Sequence, residues 1–187
     1  MSKKSPLYTK SGDSGETGLV GGARTSKDSD LIEAIGAVDE LNAILGTVLA
    51  FGCAKSSTSG RLIIKDIQGD LFYLGAELAS CFAKQACNKI SEKNVEKLEK
   101  HIDDLDALLP PLKNFILPGG GTVGSMLHMG RAVCRRAERS IIRLLKAKKS
   151  KLNPTLIKYI NRLSDLLFVL ARYENKTAKR KEVAWRG

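Results

Sequence analysis

The fold is decided by residues 114–145, which read NFILPGGGTVGSMLHMGRAVCRRAERSIIRLL. A proline and three glycines at 118–121 cannot continue a helix, so they predict a turn. No proline follows the turn within this stretch, and either Thr122 or Ser125 is a suitable helix cap. Apolar residues then recur every three or four positions, which predicts one buried helical stripe. The stripe consists of Met126, Met129, Val133, Ala137, Ile141 and Leu144.

The polar residues of this helix allow two interpretations. Arg131, Arg135 and Glu138 share one face, and His128 lies one turn before them. A second row consists of Arg136, Arg139 and Arg143. A basic face of this kind is most often simply solvated. However, a glycine-rich turn before a helix N-terminus favours anion binding, and guanidinium groups match phosphate oxygens, so an anion site is the competing interpretation.

Composition predicts one helical domain with an anionic partner. A chain of 187 residues has the length of one domain, and we expect a single domain over 1–187. Aromatic residues make up only 5% of the chain, while Leu, Ala, Glu and Lys are common, which favours helices. The net charge of +11 suggests a nucleotide, a nucleic acid or a membrane surface as partner. Much of that charge lies in 143–151 and 176–181, where solvated lysine is the simpler interpretation.

The cysteines and the first residues favour a cytoplasmic protein without a metal centre of its own. Four cysteines occur without a CxxC pair or a Cys/His spacing typical of zinc: Cys53, Cys81, Cys87 and Cys134. Cys134 faces the inner side of its helix, so it is expected in the core. The first ten residues lack the apolar region of a secretory signal, and no stretch approaches the ~20 apolar residues of a membrane span. We therefore expect reduced thiols, a cytoplasmic location and no membrane association.

Residues 1–28 are dense in Gly, Ser, Thr and Lys and show almost no helical pattern. Such a composition is typical of a disordered tail. Small residues nevertheless alternate with groups that can meet phosphate or a magnesium shell: Lys10, Gly12, Asp13, Gly15, Thr17 and Gly18. The P-loop pattern GxxxxGK[ST] does not occur. A phosphate-binding loop of another design is therefore the alternative to a disordered tail.

Helical periodicity appears in five segments, without strand-like alternation, internal repeats or a second domain. We predict helices over about 29–53, 61–82, 91–109, 122–145 and 154–176. The fold class is therefore all-α, an up-and-down five-helix bundle over 29–176 behind an ordered glycine-rich arm. A basic tail, 177–187, follows and contains Trp185, the single tryptophan. An isolated tryptophan in such a tail is expected to dock on the protein or on a ligand.

The first helix carries a carboxylate that needs a partner. Asp39 lies beside the apolar stripe, one turn from Asn42. A carboxylate so placed is usually paired, and the arginine-bearing helix is the obvious supplier of a cation. We therefore expect Asp39 to form an ion pair.

Four segments together resemble one family. They read YTKSGDSGETGLVGG (8–22), GAVDELNAILG (36–46), FILPGGGTVGSMLHMGRAVCRRAER (115–139) and INRLSDLLFVLARYEN (160–175). In this order and spacing they resemble the PduO-type ATP:cob(I)alamin adenosyltransferases, also called corrinoid adenosyltransferases. The resemblance covers nearly the whole chain.

The resemblance implies an activity, an assembly and partners. Members of the family transfer the 5′-deoxyadenosyl group of ATP to the cobalt of cob(I)alamin, which gives adenosylcobalamin and releases triphosphate, and they require Mg²⁺. They are homotrimers of five-helix bundles with active sites between subunits. The implied partners are a flavin reductase that supplies Co(I) and an adenosylcobalamin-dependent enzyme that receives the product.

The resemblance also implies which residues bind ATP. Those that wrap the nucleotide are Thr9, Lys10, Gly12, Asp13, Gly15 and Thr17. Lys27 would reach the phosphates. Arg135 and Glu138 would hold the triphosphate and ribose side, with Asn161 nearby.

Three further residues are implied to act at the corrinoid and at the subunit interface. Asp39 would pair with Arg131 across the interface. Phe115 would press on the lower face of the corrin ring and help to displace its axial ligand. The chain departs from the family at Gly130, where alanine is usual.

Two other functions remain as alternatives. A basic helical protein that binds a nucleotide or nucleic acid without this catalysis would also use the charge of +11 and the arginine rows. Its basic residues are, however, interleaved with carboxylates, and no RNP, KH or helix-turn-helix signature occurs, so we expect no nucleic-acid partner. A purely structural bundle leaves the glycine-rich arm and Asp39 unexplained.

Overall fold

The computed structural model describes residues 8–52, 58–82, 87, 89–146 and 152–186. The elements in these ranges are β1 (Glu16–Gly18), β2 (Arg24–Ser26), α1 (Asp30–Phe51), α2 (Thr58–Ser80), α3 (Glu92–Asp106), α4 (Thr122–Lys146) and α5 (Thr155–Thr177). The predicted all-α five-helix bundle is confirmed. Cys53, the predicted end of the first helix, lies outside the described residues.

Local sequence signals set several helix ends. The hydroxyl of Ser29 accepts a hydrogen bond from the backbone N–H of Ile32 at 3.4 Å, which caps α1. Gly52 follows the last residue of α1 with a φ of 83°, a conformation that glycine adopts without strain. At α3, the side chain of Asn94 accepts a hydrogen bond from the backbone N–H of Ser91 at 3.0 Å, so the first turn is closed by its own sequence.

Helix α4 is central to the packing. It packs against both α1 and α5, while α2 packs on α1 and α3 packs on α5. The contacts form one continuous apolar core. Fully buried members of this core include Leu41, Leu45, Ile64, Leu74, Leu127, Ile141 and Leu163. Burial of apolar area at ~25 cal/mol per Å² is the main source of stability for such a bundle.

The buried face of α4 differs in part from the predicted stripe. Ala137, Ile141 and Leu144 are buried as predicted, but Met129 is 51% exposed, and Val133 is only partly buried. The reason is that in the first half of α4 the buried row runs through Leu127, Gly130 and Cys134, which lie beside the predicted residues on the helix surface. The buried side chains that the predicted stripe leaves out are Leu127, His128, Cys134 and Ser140.

Helix α3 is shorter than predicted. It ends at Asp106 rather than near 109, and Leu108, predicted to face inward, is 53% exposed. Residues that precede a proline are disfavoured in the helical conformation, and Pro110 follows closely. The prediction placed this helix end almost one turn too late.

The sequence interpretation missed a short hairpin in the N-terminal arm. Strands β1 and β2 pair antiparallel, with Thr17 opposite Thr25. Gly21 and Gly22 lie in the connection with φ values of 90° and 83°, which glycine tolerates and other residues rarely adopt. The strands are three residues long each, so they are too short to show an alternating pattern. The arm is therefore an ordered unit in the described range.

Helix α1 is apolar enough, by length and composition, to cross a membrane. Its 22 residues contain a window with a mean hydropathy of 1.5. The expectation that no stretch is long and apolar enough to approach a membrane span was therefore wrong for α1. In the fold, 44% of that window is buried inside the protein, and α1 packs on α2 and α4. A core helix satisfies the same hydropathy test.

Candidate active site

The connection between α3 and α4 pairs with the C-terminal tail. The backbone N–H of Leu117 donates to the carbonyl of Val183 at 2.8 Å, and the N–H of Trp185 donates to the carbonyl of Phe115 at 2.7 Å. These two hydrogen bonds flank a bridge between Ile116 and Ala184. The pairing places the Phe115 and Trp185 side chains, 79% and 56% exposed, at the surface of one small sheet-like unit.

Phe115 and Trp185 line an open cleft of about 590 Å³. The remaining lining residues are Leu112, Lys113 and Asn114. Two large exposed rings on one concave surface are unusual, because such area is normally buried unless it binds a partner or a ligand. The cleft is therefore suited to a large, flat and partly apolar ligand. Trp185 docks on the protein through its backbone and presents its ring to this cleft.

A neighbouring groove joins Phe115 to the arginine face of α4. Its volume is about 410 Å³. It is lined by Leu112, Phe115, Ile116, Arg131, Arg135, Ser164, Asp165, Phe168 and Val169. Three residues that the sequence singled out thus meet at one surface: Phe115, Arg131 and Arg135. The groove combines two guanidinium groups with an apolar wall, so it can hold an anionic group beside an apolar one.

Glu138 and Asn161 meet one turn further along α4. The amide of Asn161 donates from Nδ2 to Oε1 of Glu138 at 2.9 Å, which links α5 to α4. Both side chains are half-buried. Arg135 is exposed, and its backbone carbonyl accepts a hydrogen bond from Nη1 of Arg139 at 3.0 Å. The structure therefore places Asn161 beside Glu138, as the sequence resemblance implied.

The second arginine row of α4 is largely paired with α1. Arg136 forms an ion pair with Glu40, and Arg143 lies 3.4 Å from Asp30. Exposed pairs of this kind contribute little to stability, about 0–1 kcal/mol. They nevertheless neutralise two of the three arginines in this row, whereas Arg131 and Arg135 form no ion pair among the described residues and are available to an anion.

The ion pair expected for Asp39 is not formed among the described residues of one chain, and its pairing with Arg131 across an interface stays a prediction. Asp39 is exposed, and in the described ranges its carboxylate has no hydrogen-bond or ion-pair partner. Its neighbour Glu40 takes the α4 arginine instead. Arg131 is half-buried, and its Nε also has no partner among the described residues. Asp39 lies on the outer side of α1 because Leu41 and Val38 occupy the inner side.

The N-terminal arm forms a compact basic loop. The backbone N–H of Lys27 donates to the carbonyl of Gly15 at 2.8 Å, and the Lys27 ammonium lies so close to Gly12 that a Cβ there would meet it at 3.1 Å. Arg24 donates to the Ser11 carbonyl at 2.7 Å and pairs with Glu16 at 3.1 Å. The structure thus brings Lys27 beside the predicted glycine loop. Arg24, which was not among the predicted binding residues, connects β2 to Ser11 and Glu16 and so holds the arm together.

Most of the other predicted nucleotide-binding residues of the arm are exposed, and hydrogen bonds within the arm connect several of them. The hydroxyls of Thr9 and Ser11 lie 2.7 Å apart, and the N–H of Asp13 donates to the carbonyl of Lys10 at 3.3 Å. Lys10 itself has a φ of 59°, an uncommon conformation for a residue with a side chain. Thr17 is half-buried in β1. The loop therefore presents exposed hydroxyls and the Lys10 side chain, which are groups that can contact phosphate.

The arm makes no side-chain hydrogen bond to the Phe115 groove within the described part of one chain. The ion pair between Asp30 and Arg143 places the start of α1 beside the last turn of α4. Phe115 shares its groove with Arg135, which lies eight residues before Arg143, or about 12 Å along the helix. Over the described positions, every hydrogen bond of an arm side chain stays within the arm. Within one chain, the arm and the groove are therefore not joined by an arm side chain.

Two buried titratable groups lie under the arginine face. His128 is 4% exposed, its ring packs 5.9 Å from that of Phe168, and neither ring nitrogen has a partner in the described part of the chain. Burial and the nearby Arg131 lower the pKa of His128, against a smaller opposing effect of Glu182. Burial strongly raises the pKa of Cys134, whose Sγ donates to the carbonyl of Ile160 at 3.3 Å. Cys134 is therefore an inert core residue, as predicted.

Taken together, these features define a helical bundle that joins an arginine-bearing face to an apolar cleft and carries a basic loop before its first helix. A family model described as cobalamin adenosyltransferase matches residues 7–174. The chain belongs to this family, and the resemblance inferred from the four sequence segments is confirmed.

Individual relatives agree with this assignment. A corrinoid adenosyltransferase of Bacillus subtilis is 42% identical over 175 residues, which is 90% of this chain and 86% of that protein. The corrinoid adenosyltransferase PduO of Citrobacter freundii is 40% identical over 179 residues, and the chain spans 52% of that longer protein. A phenylalanine-to-alanine variant of the PduO-type ATP:corrinoid adenosyltransferase from Lactobacillus reuteri, solved in complex with cobalamin and ATP, superimposes with a TM-score of 0.91. It is 33% identical, and the match covers 97% of this chain and 99% of that one.

Proposed function

We propose that this protein transfers the 5′-deoxyadenosyl group of ATP to the cobalt of cob(I)alamin, which gives adenosylcobalamin and triphosphate. Family membership supports the reaction class. The observation in this chain that supports it best is the groove in which Arg131 and Arg135 share a wall with Phe115. A reaction between a polyanionic nucleotide and a large apolar macrocycle needs both kinds of surface within reach of each other.

Arg135 is suited to stabilise the leaving triphosphate. The departing group carries about four negative charges, and a guanidinium offers several donors in a fixed plane. Arg135 is exposed in the groove, so it is free to contact a ligand. Glu138, held by Asn161 at 2.9 Å, would orient the ribose side. Charge stabilisation of this kind typically contributes about 2.7–4 kcal/mol per donor in the transition state.

Phe115 is suited to the lower face of the corrin ring. It projects into the cleft from a segment that is fixed by backbone pairing with the tail. A large apolar ring there would exclude water and the lower axial ligand of the cobalt. Loss of that ligand makes reduction of Co(II) to Co(I) easier, so Phe115 would favour the reactive form of the substrate.

No protein nucleophile is needed for this chemistry. The reduced corrinoid is itself a strong nucleophile, so the protein contributes placement and electrostatics. Substitution at C5′ requires an in-line approach, and full preorganisation of such a step is worth about 7–11 kcal/mol. Cys134, which lies near the site, has a raised pKa and is buried, which agrees with a core role.

Mg²⁺ fits this site as a companion of the triphosphate. In the described ranges no group of three or more His, Cys, Asp or Glu side chains is placed to hold a metal ion. Mg²⁺ is commonly bound through one or two carboxylates together with substrate phosphates. Asp13 in the arm is exposed and beside the glycine loop, so it would serve as such a carboxylate. The ion would neutralise part of the phosphate charge.

We infer that the functional unit is a homotrimer with its active sites between subunits. Within one chain, the described arm side chains make hydrogen bonds only inside the arm, which supports a site that a neighbouring chain completes. Asp39 and Arg131 are unpaired charges of opposite sign, and pairing across the interface would satisfy both. The catalytic domain would span 1–187, act in the cytoplasm, and exchange substrates with a flavin reductase and an adenosylcobalamin-dependent enzyme.

An anaerobic turnover assay separates this function from the alternative of a basic nucleotide- or nucleic-acid-binding bundle. The protein is mixed with chemically reduced cob(I)alamin, Mg²⁺ and ATP, and the absorbance change on formation of the cobalt–carbon bond is followed. We expect turnover that depends on ATP. ATP binding without turnover would contradict the proposed transfer. Loss of ATP binding together with salt-dependent binding of a nucleic acid would favour the alternative.

A further inference from the structure

Arg172 is a buried cation that the proposed chemistry does not use. Its side chain is 3% exposed, near the C-terminal end of α5. It donates from Nε to Oε1 of Glu182 at 2.9 Å and from Nη2 to the carbonyl of Pro110 at 2.9 Å. Nη1 also lies 3.7 Å from a carboxylate oxygen of Asp106. All three nitrogens of the guanidinium are therefore engaged.

These partners belong to the two segments that build the Phe115 cleft. Pro110 begins the connection that leads to Phe115. Glu182 immediately precedes Val183, whose carbonyl accepts the first of the two tail hydrogen bonds. Arg172 thus holds the tail and the connection at the same place, just before they pair with each other.

A second residue of α5 holds the far end of the connection. Asn175 donates from Nδ2 to the carbonyl of Gly119 and accepts from the N–H of Gly121, each at 2.9 Å. The segment that carries Phe115 is therefore fixed at both ends by α5. The contact between Arg172 and the tail differs from the Asn175 contacts, because its partner Glu182 is charged and belongs to the tail.

The charge of Arg172 makes its contact with the tail strong. A buried guanidinium without a counter-charge is costly, and hydrogen bonds between ionised partners are about twice as strong as neutral ones. The Glu182 side chain is itself only 24% exposed. Release of the tail would leave Arg172 with the more exposed Asp106 as its remaining counter-charge. The bundle therefore favours the state in which the tail is docked.

We propose that Arg172 is a positioning residue for the adenosyl transfer. Its contacts with Glu182 and Pro110 fix the backbone pairing of residues 183–185 with residues 115–117. This pairing determines where Phe115 and Trp185 lie in the cleft. The inference rests on the proposed function for its catalytic consequence. Its structural part, the docking of the tail by the Arg172–Glu182 pair, is measurable without turnover.

Trp185 reports on the tail directly, because it is the single tryptophan of the chain. We would measure acrylamide quenching of its fluorescence in the full-length protein for wild type, Glu182→Gln and Lys181→Gln. Lys181 is the exposed neighbour of Glu182 and serves as the matched control. We expect the quenching constant to rise about twofold in Glu182→Gln, from loss of a charge-assisted hydrogen bond, and to stay at the wild-type value in Lys181→Gln. An unchanged constant in Glu182→Gln would overturn the proposal.

The catalytic consequence is tested in the same proteins. Glu182→Gln should lower kcat/KM for cob(I)alamin by about tenfold, the loss expected for one charge-assisted hydrogen bond, while KM for ATP stays near wild type. Arg172→Lys should show an intermediate defect, since lysine keeps the charge but cannot contact Glu182 and Pro110 in one plane. Circular dichroism should report an intact bundle in Glu182→Gln and Lys181→Gln, because both residues lie beyond the last helix, and it serves as the check on folding for Arg172→Lys.

The two possible failures are distinguishable. A tail that is released in Glu182→Gln while kcat/KM for cob(I)alamin stays at the wild-type value would overturn the positioning role. A wild-type protein that does not turn over would refute the proposed function, and the quenching data would then still decide whether Arg172 docks the tail.

Discussion

The side chain of Asn175 occupies the space in which a Cβ on Gly124 would lie. The amide is held there because Nδ2 donates to the carbonyl of Gly119 and Oδ1 accepts from the N–H of Gly121, each at 2.9 Å. The last turn of α5 is therefore locked into the glycine turn that starts α4. Gly124 lies inside α4, and its role is to allow this close approach.

This contact predicts that Gly124→Ala destabilises the protein. The added methyl group overlaps the Asn175 amide, which cannot move without breaking two hydrogen bonds to the turn. Overpacking of this kind costs about 1–3 kcal/mol. Urea unfolding followed by circular dichroism measures the loss. A free energy of unfolding equal to that of wild type would show that the turn can shift without cost.

Gly130→Ala, six residues later in the same helix, should have the opposite effect. A Cβ at Gly130 would meet Ile44 at 3.4 Å and Leu41 at 3.8 Å, which are ordinary van der Waals contacts. Alanine is favoured over glycine inside a helix by about 0.5–1 kcal/mol, so the free energy of unfolding should rise by that amount. The same urea series tests both variants, and a loss of stability in Gly130→Ala would contradict the packing described for α4.

Asp39→Asn should weaken assembly. If Asp39 pairs with Arg131 of a neighbouring chain, removing its charge leaves a guanidinium unpaired at the interface, which costs about 2–5 kcal/mol. Light scattering over a range of protein concentrations would then show dissociation of the trimer at concentrations where wild type stays assembled. Glu33→Gln is the matched control, since Glu33 is an exposed carboxylate on the same helix. A trimer of unchanged stability in Asp39→Asn would contradict the proposed pairing of Asp39 with Arg131.

The buried histidine makes stability depend on pH. Burial lowers the pKa of His128 from its ordinary value of 6.5, so between the two pKa values the unfolded chain binds more protons than the folded one. The free energy of unfolding therefore falls as the pH drops through about 6.5 and below. His128→Gln should reduce this slope between pH 7 and 5.5.

His101 provides the second half of this test. It is the other histidine of the chain, and burial lowers its pKa as well. Because histidines are the side chains that normally titrate in this range, the double variant with His101→Gln should have a nearly flat stability profile from pH 7 to 5.5. A slope that persists in the double variant would assign the pH dependence to other groups.

The main features of the fold could be predicted because they depend on local patterns. Apolar periodicity identified every helix, and the position of Cys134 on the inner side of α4 identified it as a core residue. Met129 was misplaced because the first half of α4 offers two apolar rows, and periodicity alone does not show that the row of Leu127 and Cys134 is the buried one. The end of α3 was placed too late because single residues set helix ends, and periodicity does not locate them.

The candidate site could be predicted only in part from the sequence. Phe115, Arg131 and Arg135 were selected from motifs, and the fold brings them to one groove. The pairing of Arg172 with Glu182 and Pro110 depends on how the tail returns to the bundle, and no local pattern encodes that return. Asp39 was expected to form an ion pair, and its pairing with Arg131 across a subunit interface stays a prediction, since within the chain Glu40 takes the α4 arginine Arg136.

The anaerobic adenosylation rate of three proteins tests the central claim most directly: wild type, Arg135→Ala and Arg139→Ala. Arg139 lies one turn from Arg135 but does not line the groove, so it controls for loss of charge on α4. With cob(I)alamin, Mg²⁺ and ATP, we predict that wild type turns over and that Arg135→Ala loses about 10²–10³-fold in kcat, as expected for loss of one donor to the leaving group. Arg139→Ala should remain close to wild type. Equal rates for Arg135→Ala and wild type would contradict the assignment of the groove as the active site.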